Sequence, residues 1–160
     1  MSDARSDNDL VLAWARGDAR AFDTLYERYR GPLYRYLFHG LGDRALADDA
    51  YQDTWSSIVE ARDRFEPRTE FRRWAFRIAH NRLVDHWRRT GRRPQESDAG
   101  LDELPHASVP DAEAERDEDA RRLRRALQQL PAEQREAFLL QQEAGLTLAD
   151  IAARDGVGRE

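Results

Sequence analysis

The stretch DARAFDTLYERYRGPLYRYLFHGLG, residues 18–42, decides the fold. Phe22, Leu25, Tyr26, Tyr29, Leu33 and Leu37 recur at steps of three and four, the period of a helix with one apolar side. Asp18 stands where a carboxylate caps a first turn, and Gly40 and Gly42 stand where the helix ends. Gly31 and Pro32 fall inside it and predict a kink, because proline removes a hydrogen bond and crowds the preceding turn. On the amino side, Asp7 is expected to cap a short helix with Leu10, Val11 and Trp14 inward, stopped at Gly17. On the carboxyl side, Asp43 is expected to cap a third helix. That helix turns Ala47, Tyr51, Trp55, Ile58 and Val59 to one stripe, and Asp49, Gln52, Asp53 and Ser56 to another. After a loop containing Pro67, a fourth helix is expected from Glu70 to Arg89. No strand-like alternation bounded by hairpin turns occurs, so the expected class is all-α.

The last forty residues regain the same period. Leu123, Leu127 and Leu130 mark one helix, and Pro131 opens another carrying Phe138, Leu139 and Gln142, with Gly145 closing it. Thr147 and Asp150 form a capping-box pattern at the head of a short helix with Ile151, Ala152 and Ala153, ending near Gly156. A helix, a glycine turn and a second capped helix make a helix-turn-helix pattern.

Composition narrows the chemistry. The 160 residues hold 26 basic side chains, all of them Arg, against 31 acids, for a net charge of −5. Zero Cys excludes disulfides, thiol catalysis and Cys-ligated metals. The opening MSDARSDNDL lacks an apolar signal core, and no apolar run approaches the ~18 residues of a membrane span. A cytoplasmic protein without membrane insertion is the expectation. The charge is unevenly spread. Residues 1–94 carry 18 Arg and 15 acids, and within them residues 62–93 carry 11 Arg and 4 acids. Residues 95–119 carry 10 acids and one Arg, with Pro105, Pro110 and Gly100, which reads as a solvated linker of net −9. Residues 120–160 return to net +1. Three parts are therefore expected: 1–94, a linker at 95–119, and 120–160.

At roughly 100° per residue, Arg73, Arg77, Asn81 and Arg88 fall on one face of the fourth helix, with Trp74 at its border and Ala75, Phe76, Ala79, Leu83 and Trp87 opposite. Arginine neutralises phosphate, an amide bonds a base edge, and an aromatic ring stacks on an unpaired base. The same stripe is also what an ordinary amphipathic helix with a solvated arginine face displays. The loop before it, residues 62–70, holds Phe65 and Pro67 among three Arg. It is either a grip for an extruded base or a connector in which Phe65 staples the next helix. His80 and His86 lie six residues apart on a helix, so their imidazoles diverge and no metal site is expected. No nucleophile triad, phosphate loop or paired carboxylates stand in supporting context, so no catalytic residue and no cofactor is expected.

Four blocks then act together: GD-x-x-AF-x-x-LY-x-x-Y from Gly17 to Tyr29, ADDAYQDTW at 47–55, F-x-x-W-x-x-x-IA-x-N-x-x-x-D-x-x-R from Phe71 to Arg88, and LQQLPAEQREAFLLQQEAGLTLADIA from Leu127. In this order the chain resembles an extracytoplasmic-function sigma factor. The resemblance implies a promoter-specificity subunit of bacterial RNA polymerase, with a helical region 2, a linker and a helix-turn-helix region 4. It implies that Asp48, Asp49, Gln52 and Asp53 dock on the clamp helices of the polymerase β′ subunit. Leu46 and Asp53 depart from the acidic pattern usual there, which bears on docking strength. It further implies that Phe65, Arg73, Trp74, Arg77, Asn81 and Arg88 contact the single-stranded minus-ten element, and that an anti-sigma factor is a partner. The second helix of region 4, which reads the minus-thirty-five element, is expected after Gly158, so little reading of that element is expected from residues 1–160. The linker is expected to thread the polymerase RNA channel as a mimic of nascent RNA. Neutralising its acids between Asp111 and Asp119 is then expected to change the lengths of abortive transcripts, and unchanged lengths count against the mimicry.

Overall fold

The computed structural model describes residues 2–90, 117–147 and 149–151. Every regular element among them is helical: α1 (Asp7–Ala15), α2 (Ala19–Leu41), α3 (Arg44–Ala61), a 3₁₀ turn (Arg62–Arg64), α4 (Phe71–Thr90), α5 (Asp117–Gln129) and α6 (Ala132–Glu143). The all-α expectation holds. The linker foreseen at 95–119 lies mostly outside the described residues, and its last three positions already belong to α5.

Local chemistry sets the helix ends. Asp18 accepts from the backbone N–H of Arg20 and Ala21, and Asp43 from that of Leu46. Gly17 and Gly42 adopt φ of 105° and 69°, where a side chain would be strained, and so stop α1 and α2. One expectation needs correction. Ser6, in extended conformation, caps α1 instead of Asp7. Asp7 is already inside the helix, and its carboxylate instead accepts from the Tyr29 hydroxyl and from Arg28 at 2.8 Å. The helix α2 runs through Pro32 as one element, with Pro32 inside it.

Packing is organised around α2, which touches α1, α3, α4 and α6. Its Leu25, Leu33, Tyr36 and Leu37 are completely buried. Tyr36 meets Phe76 of α4 edge-on at 5.5 Å, and Tyr29 meets Phe71 at 5.2 Å. Near its end, α2 comes so close to α4 that a β-carbon on Gly40 would lie 2.9 Å from Leu83 Cδ1, while Trp87 donates to the Gly40 carbonyl at 3.1 Å. Beyond α4, the Arg135 guanidinium of α6 is 2% exposed and donates to the carbonyls of Leu127, Gln128 and Leu130. A cation thus closes the carboxyl end of α5, where the free carbonyls and the helix dipole favour positive charge.

Gly40→Ala forces Leu83 from its place and is expected to destabilise the protein by about 1–3 kcal/mol in urea unfolding. A second expectation concerns His39. Burial, with Arg124, Arg35 and Arg135 around it, pushes its pKa down from 6.5 to about 4. The unfolded chain then binds a proton that the folded one refuses, so stability falls as pH drops from 6.5 toward 4. His39→Gln is expected to flatten the loss of Tm between pH 6.5 and 5, above the range where carboxylates titrate.

Candidate nucleic-acid and polymerase interfaces

The helix α3 is split lengthwise. Ala47, Ala50, Thr54, Trp55 and Ile58 are buried, while Asp48, Asp49, Gln52, Asp53 and Ser56 are exposed. The acidic residues foreseen as a docking face therefore do share the solvent side. They are not equivalent. Asp48 accepts from the Tyr34 hydroxyl at 2.8 Å, and Asp53 meets His86 at 3.3 Å and Arg89 at 3.9 Å. Asp49 and Gln52 point out between them with no polar partner among the described residues. Beside this stripe runs a groove floored by Tyr26, Tyr34, Tyr51 and Trp55 and edged by Arg30 and Glu60. Tyr26 and Trp55 lie 4.9 Å apart, and Tyr34 and Tyr51 5.3 Å. The groove was not foreseen as a surface, although its signal is present as aromatics four apart on α3 and eight apart on α2. An acidic stripe next to an aromatic groove offers a partner both long-range attraction and an apolar anchor. Thr54, beside this face, is completely buried and donates to the Ala50 carbonyl at 2.7 Å.

The second surface is on α4. Arg73, Arg77, Asn81 and Arg88 are all exposed, and Ala75, Phe76, Ala79 and Leu83 opposite them are buried. Arg77 and Asn81 have no ion pair or hydrogen bond among the described residues, so their donors are available to a ligand. Arg73 differs, lying 3.2 Å from Asp150 and 3.9 Å from Glu70. Trp74 is half-buried and packs on Phe65 at 5.3 Å and on Phe71 at 5.8 Å. Phe65 is 6% exposed, so its ring is the floor of the loop; for Phe65 itself to stack on a base the loop would have to repack. The stapling alternative describes its position.

A residue not foreseen holds this loop in place. Asn8 of α1 donates from Nδ2 to the carbonyls of Pro67 and Thr69 at 3.3 and 3.2 Å, and its Oδ1 accepts from Phe71 N–H at 2.9 Å. One amide therefore caps α4 from another helix while fixing the turn that precedes it. The two histidines do diverge: His80 bonds Glu136 of α6, and His86 faces Asp53 of α3.

In the carboxyl-terminal part, Gly145 turns the chain at φ 65°, and Thr147 and Asp150 cap reciprocally. Thr147 N–H donates to the Asp150 carboxylate at 3.1 Å, and Asp150 N–H donates to Thr147 Oγ1 at 3.1 Å. The capping box is as the spacing predicts. What was expected of residues 152–160, and of a recognition helix beyond them, lies outside the described residues.

Comparison with known proteins identifies the family. Residues 25–93 match the family Sigma-70 region 2, and residues 120–158 match Sigma-70, region 4. The RNA polymerase sigma-H factor of Pseudomonas aeruginosa is 30% identical over 161 residues, taking in 95% of this chain and 83% of that one. The ECF RNA polymerase sigma factor SigM of Mycobacterium tuberculosis is 33% identical over 153 residues, with 96% and 75% covered. The solved structure of CnrH in complex with the cytosolic domain of CnrY matches with a TM-score of 0.65 at 26% identity, covering 96% of this chain and 85% of that one. The chain belongs to the extracytoplasmic-function family of RNA polymerase sigma factors, whose members bind the polymerase core and give it promoter recognition.

Proposed function

We propose that residues 1–94 work as region 2, with the α3 stripe docking on the clamp helices of β′ and the α4 face holding the unpaired minus-ten strand. Residues 95–119 serve as the tether and residues 120–160 as region 4. The observation that carries the α4 assignment is a pair of donors, Arg77 and Asn81, that have no partner among the described residues and stand one turn apart on an exposed face beside a loop clamped by Asn8. The Arg77 guanidinium neutralises a phosphate, and the Asn81 amide one turn on reaches a base edge. Half-buried Trp74 presents an aromatic edge next to the same row.

For the polymerase, the outward pair Asp49 and Gln52 supplies the contact, and Asp48 and Asp53, held by Tyr34 and His86, frame it. Fixed carboxylates cost less to order on binding than free ones do. The protein works without chemistry of its own and without a cofactor, by lowering the free energy of separated promoter strands. It acts where the polymerase is, in the cytoplasm. The likeness to CnrH, seen with the cytosolic domain of CnrY, supports an anti-sigma protein as a regulatory partner.

Reconstituted holoenzyme tests both surfaces. Asn81→Ala and Arg77→Ala are expected to weaken binding of a single-stranded minus-ten oligonucleotide roughly tenfold each, with core affinity unchanged. Only the Arg77 variant should flatten the salt dependence. Asp49→Arg is expected to slow association with core and leave oligonucleotide contacts intact once the complex forms. Loss of oligonucleotide binding from the α3 variant alone, with both α4 variants silent, would reverse the assignment.

A further inference from the structure

The short helix α1 touches the connection between α3 and α4 at both of its ends. At the near end the Arg62 guanidinium lies over the Trp14 ring, 5.5 Å from its centre, while donating to the Val59 carbonyl at 2.8 Å. At the far end Asn8 holds the carbonyls of Pro67 and Thr69 through Nδ2, and the N–H of Phe71 through Oδ1. Between these points the chain turns back on itself, with Thr69 N–H donating to the Glu66 carbonyl at 3.0 Å. The Phe65 ring fills the space beneath, against Phe71 and Trp74. Asn8 is itself firmly placed. Arg28 grips Asp7 beside it at 2.8 Å, and Leu10 and Val11 after it are completely buried.

We propose that Asn8 is a positioning residue for base capture: it presets the loop of residues 65–70 in the shape that receives an unstacked base of the promoter strand beside Trp74. This rests on the reading of α4 as the seat of the minus-ten strand.

Two physical reasons point to this residue. The first is charge. Carbonyl oxygens that face a polyanion repel it, and the Asn8 amide draws two of them toward α1. Arg64 and Arg68 of the same connection are left exposed, with the sign a phosphate needs. The second is order. A loop that must be fixed at the moment of binding loses affinity to its own conformational entropy, and one already held by three bonds does not. An amide suits the place because it donates and accepts at once. An aspartate there keeps the acceptor for Phe71 N–H, at the head of α4 where the helix dipole favours negative charge, but sets an anion against the two carbonyls. Capping and positioning thus reside in different atoms of one side chain, and substitution separates them.

In Asn8→Asp the Phe71 amide is expected to keep its protection in hydrogen exchange and Tm to hold, while trypsin cuts after Arg68 about tenfold faster. The functional arm uses reconstituted holoenzyme and a single-stranded minus-ten oligonucleotide, replaced position by position with an abasic nucleotide. The unsubstituted protein is expected to lose about tenfold in affinity at one position, that of the captured base. Asn8→Asp is expected to lose about tenfold on the intact oligonucleotide, with nothing further lost at that position. Its salt dependence should be unchanged, since no phosphate contact is removed. If the aspartate prevents folding, as melting reveals, Asn8→Gln takes its place. It carries the same amide one methylene further out, and about a threefold loss confined to the same position is expected. A folded variant that binds as the unsubstituted protein does, or that keeps the full abasic penalty, overturns the positioning and leaves Asn8 a capping residue. No sensitive position in the unsubstituted protein overturns the capture; if Arg77→Ala is silent as well, the fault lies with the seat of the strand on α4.

Discussion

Every other helix in contact with it depends on the apolar girth of α2. A helix that buries leucine and tyrosine on several sides has no solvent face wide enough to stand alone, and it must be wrapped. The helices α1, α3, α4 and α6 do the wrapping. The cost is paid in precision at a few points, chiefly Gly40, where the missing β-carbon lets Leu83 and Trp87 of α4 seat against the α2 backbone. Because α3 and α4 are both held by α2, the acidic stripe of one and the basic stripe of the other acquire a fixed mutual placement. Two separate macromolecular contacts can then be made at once by one small rigid body.

Electrostatics in this protein is a matter of arrangement more than of total. A net charge of −5 says little about binding to DNA. What matters is that, among the described residues, Arg77 and Asn81 are left without partners while Asp48, Asp53 and Arg73 are engaged. Engaged groups are oriented, and unengaged ones are available to a ligand. The same logic separates Arg135, whose charge is spent inside the fold on the end of α5, from arginines of identical type on α4.

Much of this was legible in the sequence because it is local. Asp18 and Asp43 cap the helices they precede, Gly17, Gly42 and Gly145 end them, and Thr147 bonds Asp150 three residues on. The faces of α3 and α4 followed from period alone. What was not legible depends on meetings between distant segments. Glu136 reads as a solvated acid in a charged helix until Tyr36 and His80 arrive from 100 and 56 residues away. Arg135 looks like any surface arginine until α5 folds back over it. Phe65 sat between two roles, and only its contacts with Phe71 and Trp74 place its ring inward. Ser6 and Asp7 are both good caps, and the choice between them was made by Tyr29 and Arg28, which claim the aspartate.

Asn8 has a bearing on the order in which the protein becomes ordered during synthesis. Its three bonds reach forward 59, 61 and 63 residues. The nine residues of α1 are fewer than the ~12–15 that hold a helix together in water unaided. While the ribosome makes α2 and α3, the amide has nothing to grip, and the loop it will fix does not yet exist. Closing so long a span is slow compared with forming the helices at either end of it. The loop before α4 is thus among the last parts of this helical bundle to settle, its shape decided by a residue translated about sixty positions earlier.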